Sequence, residues 1–127
     1  MATKIKIFTA STGYIPAEIT PEKNPTTAQA ILDALPIRGR ANRWGDEIYF
    51  SIPVSVAEEQ AHEEVEVGEL AFWPPGNGFC IFFGRTPAST SDKPRAASPV
   101  NVFGRISGDA TIFRETRSGE DIRIEKA

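Results

Sequence analysis

Along most of the chain, apolar residues recur at every second position. Ile5 and Ile7 alternate with Lys4 and Lys6, the pattern of a strand with one face toward water. Ser11-Thr12-Gly13 reads as a turn and Tyr14 to Ile19 as the returning strand of a hairpin. Pro16 within that strand points to an edge or a bulge, because proline cannot donate to a ladder. The period then changes once. Ala28, Ile31, Leu32 and Leu35 recur at helical spacing, which predicts one short helix at about 27–35 with a single apolar stripe. Thr26-Thr27-Ala28-Gln29 has the form of a capping box at its start, and Pro36 ends it. A helix this short does not stand alone in water, so it is expected to lie against the sheet.

Beyond the helix the pattern returns to β. Ile48, Phe50 and Ile52 alternate with Glu47, Tyr49 and Ser51 until Pro53. An acidic stretch follows from Glu58 to Glu69, with Val65 and Val67 alternating near its end and His62 inside it. Trp73-Pro74-Pro75-Gly76 is rigid and extended, and Asn77-Gly78 is a turn signal. Phe79 to Phe83 is apolar on both faces, hence central and buried. Residues 86–99 read as a long loop rich in Pro, Ser and Ala. Val100, Val102 and Ile106 resume the alternation, and Gly104 marks a bulge or a close approach of backbones. Ala110 to Arg114 and Ile122 to Ile124 read as a last pair of strands. These segments predict a single all-β domain spanning residues 1–127, mainly antiparallel, with about eight short strands and one helix. Closing such a sheet removes its edges, so a small closed β-barrel is the expected architecture.

Composition adjusts this picture only slightly. A chain of 127 residues suits one domain and buries roughly two-thirds of its unfolded surface without staples. Ten glycines and ten prolines fit many turns better than long helices. The formal net charge of -3, with no basic patch interleaved with aromatics, speaks against a nucleic-acid partner. No apolar run approaches the length of a membrane span, and no apolar core follows the N-terminal lysines as in a signal peptide. A cytoplasmic address without a membrane partner is therefore expected. The sequence does not specify an oligomeric state.

Candidate chemistry is sparse. Cys80 has no second cysteine to pair with and reads as a buried thiol behaving as a small hydrophobe. His62, the one histidine, reads as a surface residue among acids; a metal site would want more histidines or a defined carboxylate spacing. Neither a nucleophile elbow nor a phosphate-cradling loop occurs. No catalytic residue, metal or cofactor is therefore assigned.

Four spaced segments do form an ordered series: Asn42-Arg43-Trp44-Gly45-Asp46-Glu47-Ile48-Tyr49-Phe50, Trp73-Pro74-Pro75-Gly76, Phe82-Phe83-Gly84-Arg85-Thr86-Pro87, and Ala97 to Ile106. Together they resemble the small bacterial and archaeal cyclophilin-like proteins of unknown function, over the stretch from residue 26 to about Asp109. The resemblance implies an atypical cyclophilin-type barrel of eight strands. It implies no activity, because true cyclophilins use an arginine, a histidine and a Phe-His-Arg-Ile stretch that has no counterpart here. Shared fold alone does not carry chemistry.

The first functional expectation is a non-catalytic binding module for a small molecule or an extended peptide. If Ile48 and Phe50 fill the core, Glu47 and Tyr49 face the other way, toward a ligand or solvent. Arg85, Ser98 and Asn101 would then supply polar anchors beside Trp44 and Trp73. The competing reading makes both tryptophans core residues and Arg85 an ion-pair partner of Glu47. A second expectation is a prolyl isomerase-like enzyme, with Arg85 polarising the amide and Phe72, Trp73 and Phe103 forming the proline pocket. A third takes the acidic face 58–69 as a docking surface for a basic protein.

Overall fold

The N-terminal alternation becomes strand β1 (Thr3–Thr9), which turns through Gly13 into β2 (Gly13–Ile19) in the computed structural model, whose coordinates describe residues 2–127. Helix α1 (Pro25–Ala34) follows, then β3 (Ile37–Arg40), β4 (Asn42–Arg43), β5 (Glu47–Ser51), β6 (His62–Glu64), β7 (Glu69–Trp73), β8 (Gly78–Phe82), β9 (Arg95–Ile106) and β10 (Asp121–Lys126). All pairings are antiparallel. Their order is β3-β10-β1-β2-β9-β7-β8-β5-β4, with β6 added to β9.

The domain is thus mainly antiparallel β with one short helix, as expected, but two features of the expected barrel are corrected. There are ten strands among the described residues rather than eight, and the sheet is not closed by hydrogen bonds. Its two ends, β3 and the β4–β5 hairpin, meet through side chains. The Phe50 ring lies so close to Gly39 that a Cβ there would sit 2.6 Å from Phe50 Cδ2. Contact of a bare backbone with an aromatic ring takes the place of a ladder.

Three local expectations are also corrected. Ala110–Glu115 forms a 3₁₀ turn, not a strand. Asp109 accepts from the Thr111 amide (3.0 Å) and hydroxyl (2.7 Å) and so starts a turn where a strand was expected. The loop expected at 86–99 ends early, because β9 begins at Arg95, where pairing with Glu64 of β6 extends a segment of weak β propensity. Thr26 and Gln29 form no capping box. Gln29 instead bonds Asp33 (2.8 Å), and the helix N-terminus is capped from a distance by Glu59. Its carboxylate accepts from the Thr26 and Thr27 amides (both 3.1 Å) and from the Thr27 hydroxyl (2.9 Å). Desolvation raises the pKa of this carboxyl, but those hydrogen bonds outweigh it and hold the group below the ordinary carboxylate value. Glu59→Ala is expected to cost about 1 kcal/mol, the usual value of a lost N-cap, read as a lowered midpoint in urea unfolding with an unchanged slope.

The main core lies on the inner face of the sheet. Ile48, Phe50, Leu70, Phe72, Phe79, Ile81 and Phe103 meet Ile5, Ile7, Ile122 and Ile124 there, under Ala28 and Ile31 of the helix. β8 lies between β5 and β7, and all five of its residues are buried, as its doubly apolar sequence predicted. Gly104 permits the closest strand approach: a Cβ there would overlap the Glu18 carbonyl oxygen of β2. Pro16 lies just outside the stretch of β2 that pairs with β9, where its missing N–H removes no ladder bond.

Candidate functional site

Because side chains alternate across a strand, placing Ile48 and Phe50 in the main core turns Glu47 and Tyr49 to the outer face. The register pairs Glu47 with Phe82 and Tyr49 with Cys80. A second, smaller apolar cluster forms there from Val65, Ala71, Cys80, Phe82, Val100 and Val102, with Tyr49 and Trp73 packed at its margin. The cluster does not fill its own surface. A cavity of about 190 Å³ opens above it. Three half-buried aromatics, Trp44, Tyr49 and Trp73, form walls together with Glu47, and Ala96, Ala97 and Val100 of β9 complete the lining.

Each wall is fixed by local structure. Trp44 and Glu47 exchange backbone hydrogen bonds (2.9 and 3.1 Å) across a tight turn through Gly45, whose φ of +60° favours glycine. Arg43 clamps that turn. Its guanidinium donates to the carbonyls of Gly45 (2.6 Å), Arg114 (3.0 Å) and Thr116 (2.9 Å) and to Asp46 Oδ1 (3.1 Å). Trp73 is held at both ends of its indole: Nε1 donates to Ser98 Oγ (2.7 Å), and the six-membered ring lies against Gly76, where a Cβ would come within 2.5 Å. The Trp-Pro-Pro-Gly segment therefore sets the position of this ring.

Glu47 is the one charged residue in the lining, and it is only 5% exposed. Burial pushes its carboxyl pKa up to about 7, against a smaller opposing effect of a hydrogen bond with the Cys80 thiol. Burial likewise raises the Cys80 thiol well above its ordinary value, and the neighbouring Glu47 adds to this. The thiol stays protonated at neutral pH and is no nucleophile. The carboxyl can hold or release a proton near pH 7. Among the described residues, no group of three His, Cys, Asp or Glu side chains is arranged to hold a metal, and no helix is long and apolar enough to cross a membrane.

The family model described as Cyclophilin-like matches residues 3–125. The chain belongs to the cyclophilin-like family. It is 43% identical to a hypothetical protein from Archaeoglobus fulgidus with a known solution structure; the match covers 99% of this chain and 95% of that one, with a TM-score of 0.81. No curated protein matches the sequence.

Within this cyclophilin-like chain, four of the seven residues singled out from sequence meet at the cavity: Trp44, Glu47, Tyr49 and Trp73. Ser98 stands behind them as the anchor of Trp73. The other two lie elsewhere. Arg85 is exposed and outside the cavity lining; it contributes its backbone carbonyl, which accepts from the Asp46 amide (2.9 Å). The arginines that pair with this turn are Arg43 and Arg114, and they bind Asp46 rather than Glu47. Asn101 is fully buried on the opposite side of β9 from Val100, bonded to Thr27, Ala57 and Glu59. Phe72 and Phe103 are fully buried in the main core, so they do not join Trp73 and Arg85 in a surface proline pocket. Sequence reasoning missed Ala96, Ala97 and Val100 as lining and Cys80 as the partner of Glu47. The last depends on the register, which sets Cys80 opposite Tyr49 and diagonal to Glu47 on the outer face.

The acidic stretch is largely engaged by the chain itself. Glu63 pairs with Arg95 (2.6 Å) and Glu66 with Lys93 (2.8 Å), Glu64 accepts from Ser91 (3.2 Å), and Glu59 caps the helix. His62 Nδ1 lies 2.7 Å from the Glu64 carbonyl oxygen.

Proposed function

We propose that this cyclophilin-like domain is a non-catalytic binding module, and that a small molecule or one side chain of an extended peptide enters the outer-face cavity between Trp44, Tyr49 and Trp73. The observation that carries this reading is a preformed aromatic recess with a single buried carboxyl on its wall, on a face that the main core does not need. Apolar walls with few polar groups are what small-ligand sites present. A cavity of about 190 Å³ suits one ring or one compact branched group, since about 150 Å³ already accommodates benzene. Prolyl isomerisation has less support, because Arg85 and the proposed pocket phenylalanines are not assembled. Docking of a basic protein on residues 58–69 would have to displace Lys93 and Arg95.

A thermal-shift screen against metabolites and short proline-containing peptides tests the proposal. A ligand at 100 times its Kd stabilises by about 2.7 kcal/mol, several degrees for a domain of this size. The shift is expected to vanish in Trp44→Ala and to persist in Arg85→Ala. Hits that ignore Trp44 but require Arg85 would overturn the assignment of the site. Acceleration of prolyl isomerisation by micromolar protein would overturn the non-catalytic reading.

A further inference from the structure

The lining of the cavity restricts its ligand more sharply than its size does. Three aromatic side chains form its walls, and the one carboxylic acid beside them is Glu47. No Lys, Arg or His lines the cavity, and among the described residues no ion pair involves Glu47. Arg85 is exposed and outside the lining, and other charged groups of the neighbouring elements have partners of their own. Asp46 is bound by Arg43 and Arg114, Arg95 by Glu63, and His62 by the Glu64 carbonyl, while the Cys80 thiol of β8 is the group hydrogen-bonded to the carboxyl. The site therefore has a negative charge available and no cation of its own.

Resting on the binding-module reading, we infer that the ligand group is a fully or highly alkylated ammonium, held over Trp44, Tyr49 and Trp73 with Glu47 as its counter-charge. Aromatic faces attract cations most strongly where water is excluded, and Trp is the best of them. A primary ammonium brings three N–H donors, whereas the side chains lining the cavity offer oxygens only at Glu47 and the Tyr49 hydroxyl. Donors left without partners would oppose its entry. A trimethylammonium group has no N–H to satisfy, presents methyl groups to the rings, and is close in size to the benzene that a slightly smaller cavity holds. Burial holds the Glu47 pKa up to about 7, so a cation is also the ligand that would release its proton on binding.

The probes are choline and its uncharged carbon isostere, 3,3-dimethylbutan-1-ol, titrated at pH 8 into the whole chain while the indole N–H resonances of Trp44 and Trp73 are followed by NMR. Choline is expected to bind at least about tenfold more tightly than the isostere. Glu47→Gln, which keeps the shape and loses the charge, is expected to abolish that preference while the spectrum stays folded. A trimethyllysine tripeptide with uncharged neighbours, measured alongside, separates the sources: tighter binding than choline assigns a methylated peptide, weaker binding a free small molecule. Equal binding of choline and the isostere would overturn the cation inference and leave the cavity as a site for neutral groups. If neither probe moves either indole, the cation inference fails. The binding-module reading fails with it only when the broader screen also yields no Trp44-dependent hit.

Discussion

Above pH 7, Glu47→Gln is expected to be more stable than the parent protein by on the order of 3 kcal/mol, and near pH 4 the two are expected to be equally stable. Glu47 is only 5% exposed on an apolar face, and burial raises its pKa from the ordinary 4.5 to about 7. A group whose folded pKa is raised binds its proton more tightly in the folded state. The stability it contributes is fully present below the unfolded value of 4.5 and is lost as pH rises through about 7. The interval between 4.5 and about 7, at about 1.36 kcal/mol per pH unit, gives the expected difference. Glutamine keeps the shape without the titration. Glu59, Asp109 and Glu120, whose pKa values are lowered, act in the opposite direction and lose stability as pH falls. They are common to both proteins, so they cancel in the comparison. Urea unfolding of the pair at pH 4, 6 and 8 reads the effect directly. Parallel stability curves across that range would show that Glu47 ionises as freely as an exposed carboxylate, and the electrostatic account of the site would fall.

That cost bears on function. A carboxyl with no cationic partner on an otherwise apolar wall is poor for folding, and glutamine or leucine would serve the sheet better. A ligand that supplies the missing positive charge recovers what ionisation costs the free protein. The stability measurement and the choline titration thus probe one balance from its two sides.

Four of the cavity's lining residues were legible because strand periodicity is a local property. Ile48 and Phe50 alternating with Glu47 and Tyr49 fixed which pair faces outward as soon as the core was placed, and the doubly apolar run at Phe79–Phe83 marked β8 as an interior strand. Gly104 was recognisable as a point of close approach, though not its partner, the Glu18 carbonyl. What escaped depends on partners distant in sequence. Arg85 looks like a site anchor beside its motif, yet its side chain turns outward and its carbonyl is the group that holds the Asp46 turn. Thr26 looks like a helix cap, but a carboxylate 33 residues away takes that role. The strand β3, Ile-Arg-Gly-Arg, has too weak an alternation to announce itself and exists because β10 pairs with it. Ala110–Arg114 failed in the other direction, since its residues suit a strand but Asp109 set a turn first.

Asn101 gives the second large effect, and a different one from the binding role first expected of it. Its side chain is fully buried and makes three hydrogen bonds: Nδ2 donates to Thr27 Oγ1 and to the Ala57 carbonyl (both 3.0 Å), and Oδ1 accepts from the Glu59 amide (2.9 Å). Asn24, equally buried, works in parallel, donating to the Val102 carbonyl (2.8 Å) and accepting from the Gln60 amide (2.7 Å). Together they fasten the 57–60 segment to β9 and to the start of α1, where Glu59 then caps the helix. Asn101→Ala takes the partner from the Glu59 amide and from the Ala57 carbonyl and one of two bonds from the buried Thr27 hydroxyl, which still donates to Glu59; each group left unpaired away from water costs about 1–3 kcal/mol. A total loss of about 3 kcal/mol or more is expected, with the Glu59 amide losing its protection against hydrogen exchange well before the β8 amides do. The same segment runs on into β6, where His62 pairs with Val100 on the cavity wall. Loosening it is therefore expected to weaken ligand binding without altering any residue that lines the cavity. A variant that loses less than about 1 kcal/mol and keeps the Glu59 amide protected would show that water replaces the asparagine at little cost, and that the segment is held by its ion pairs and the helix cap instead.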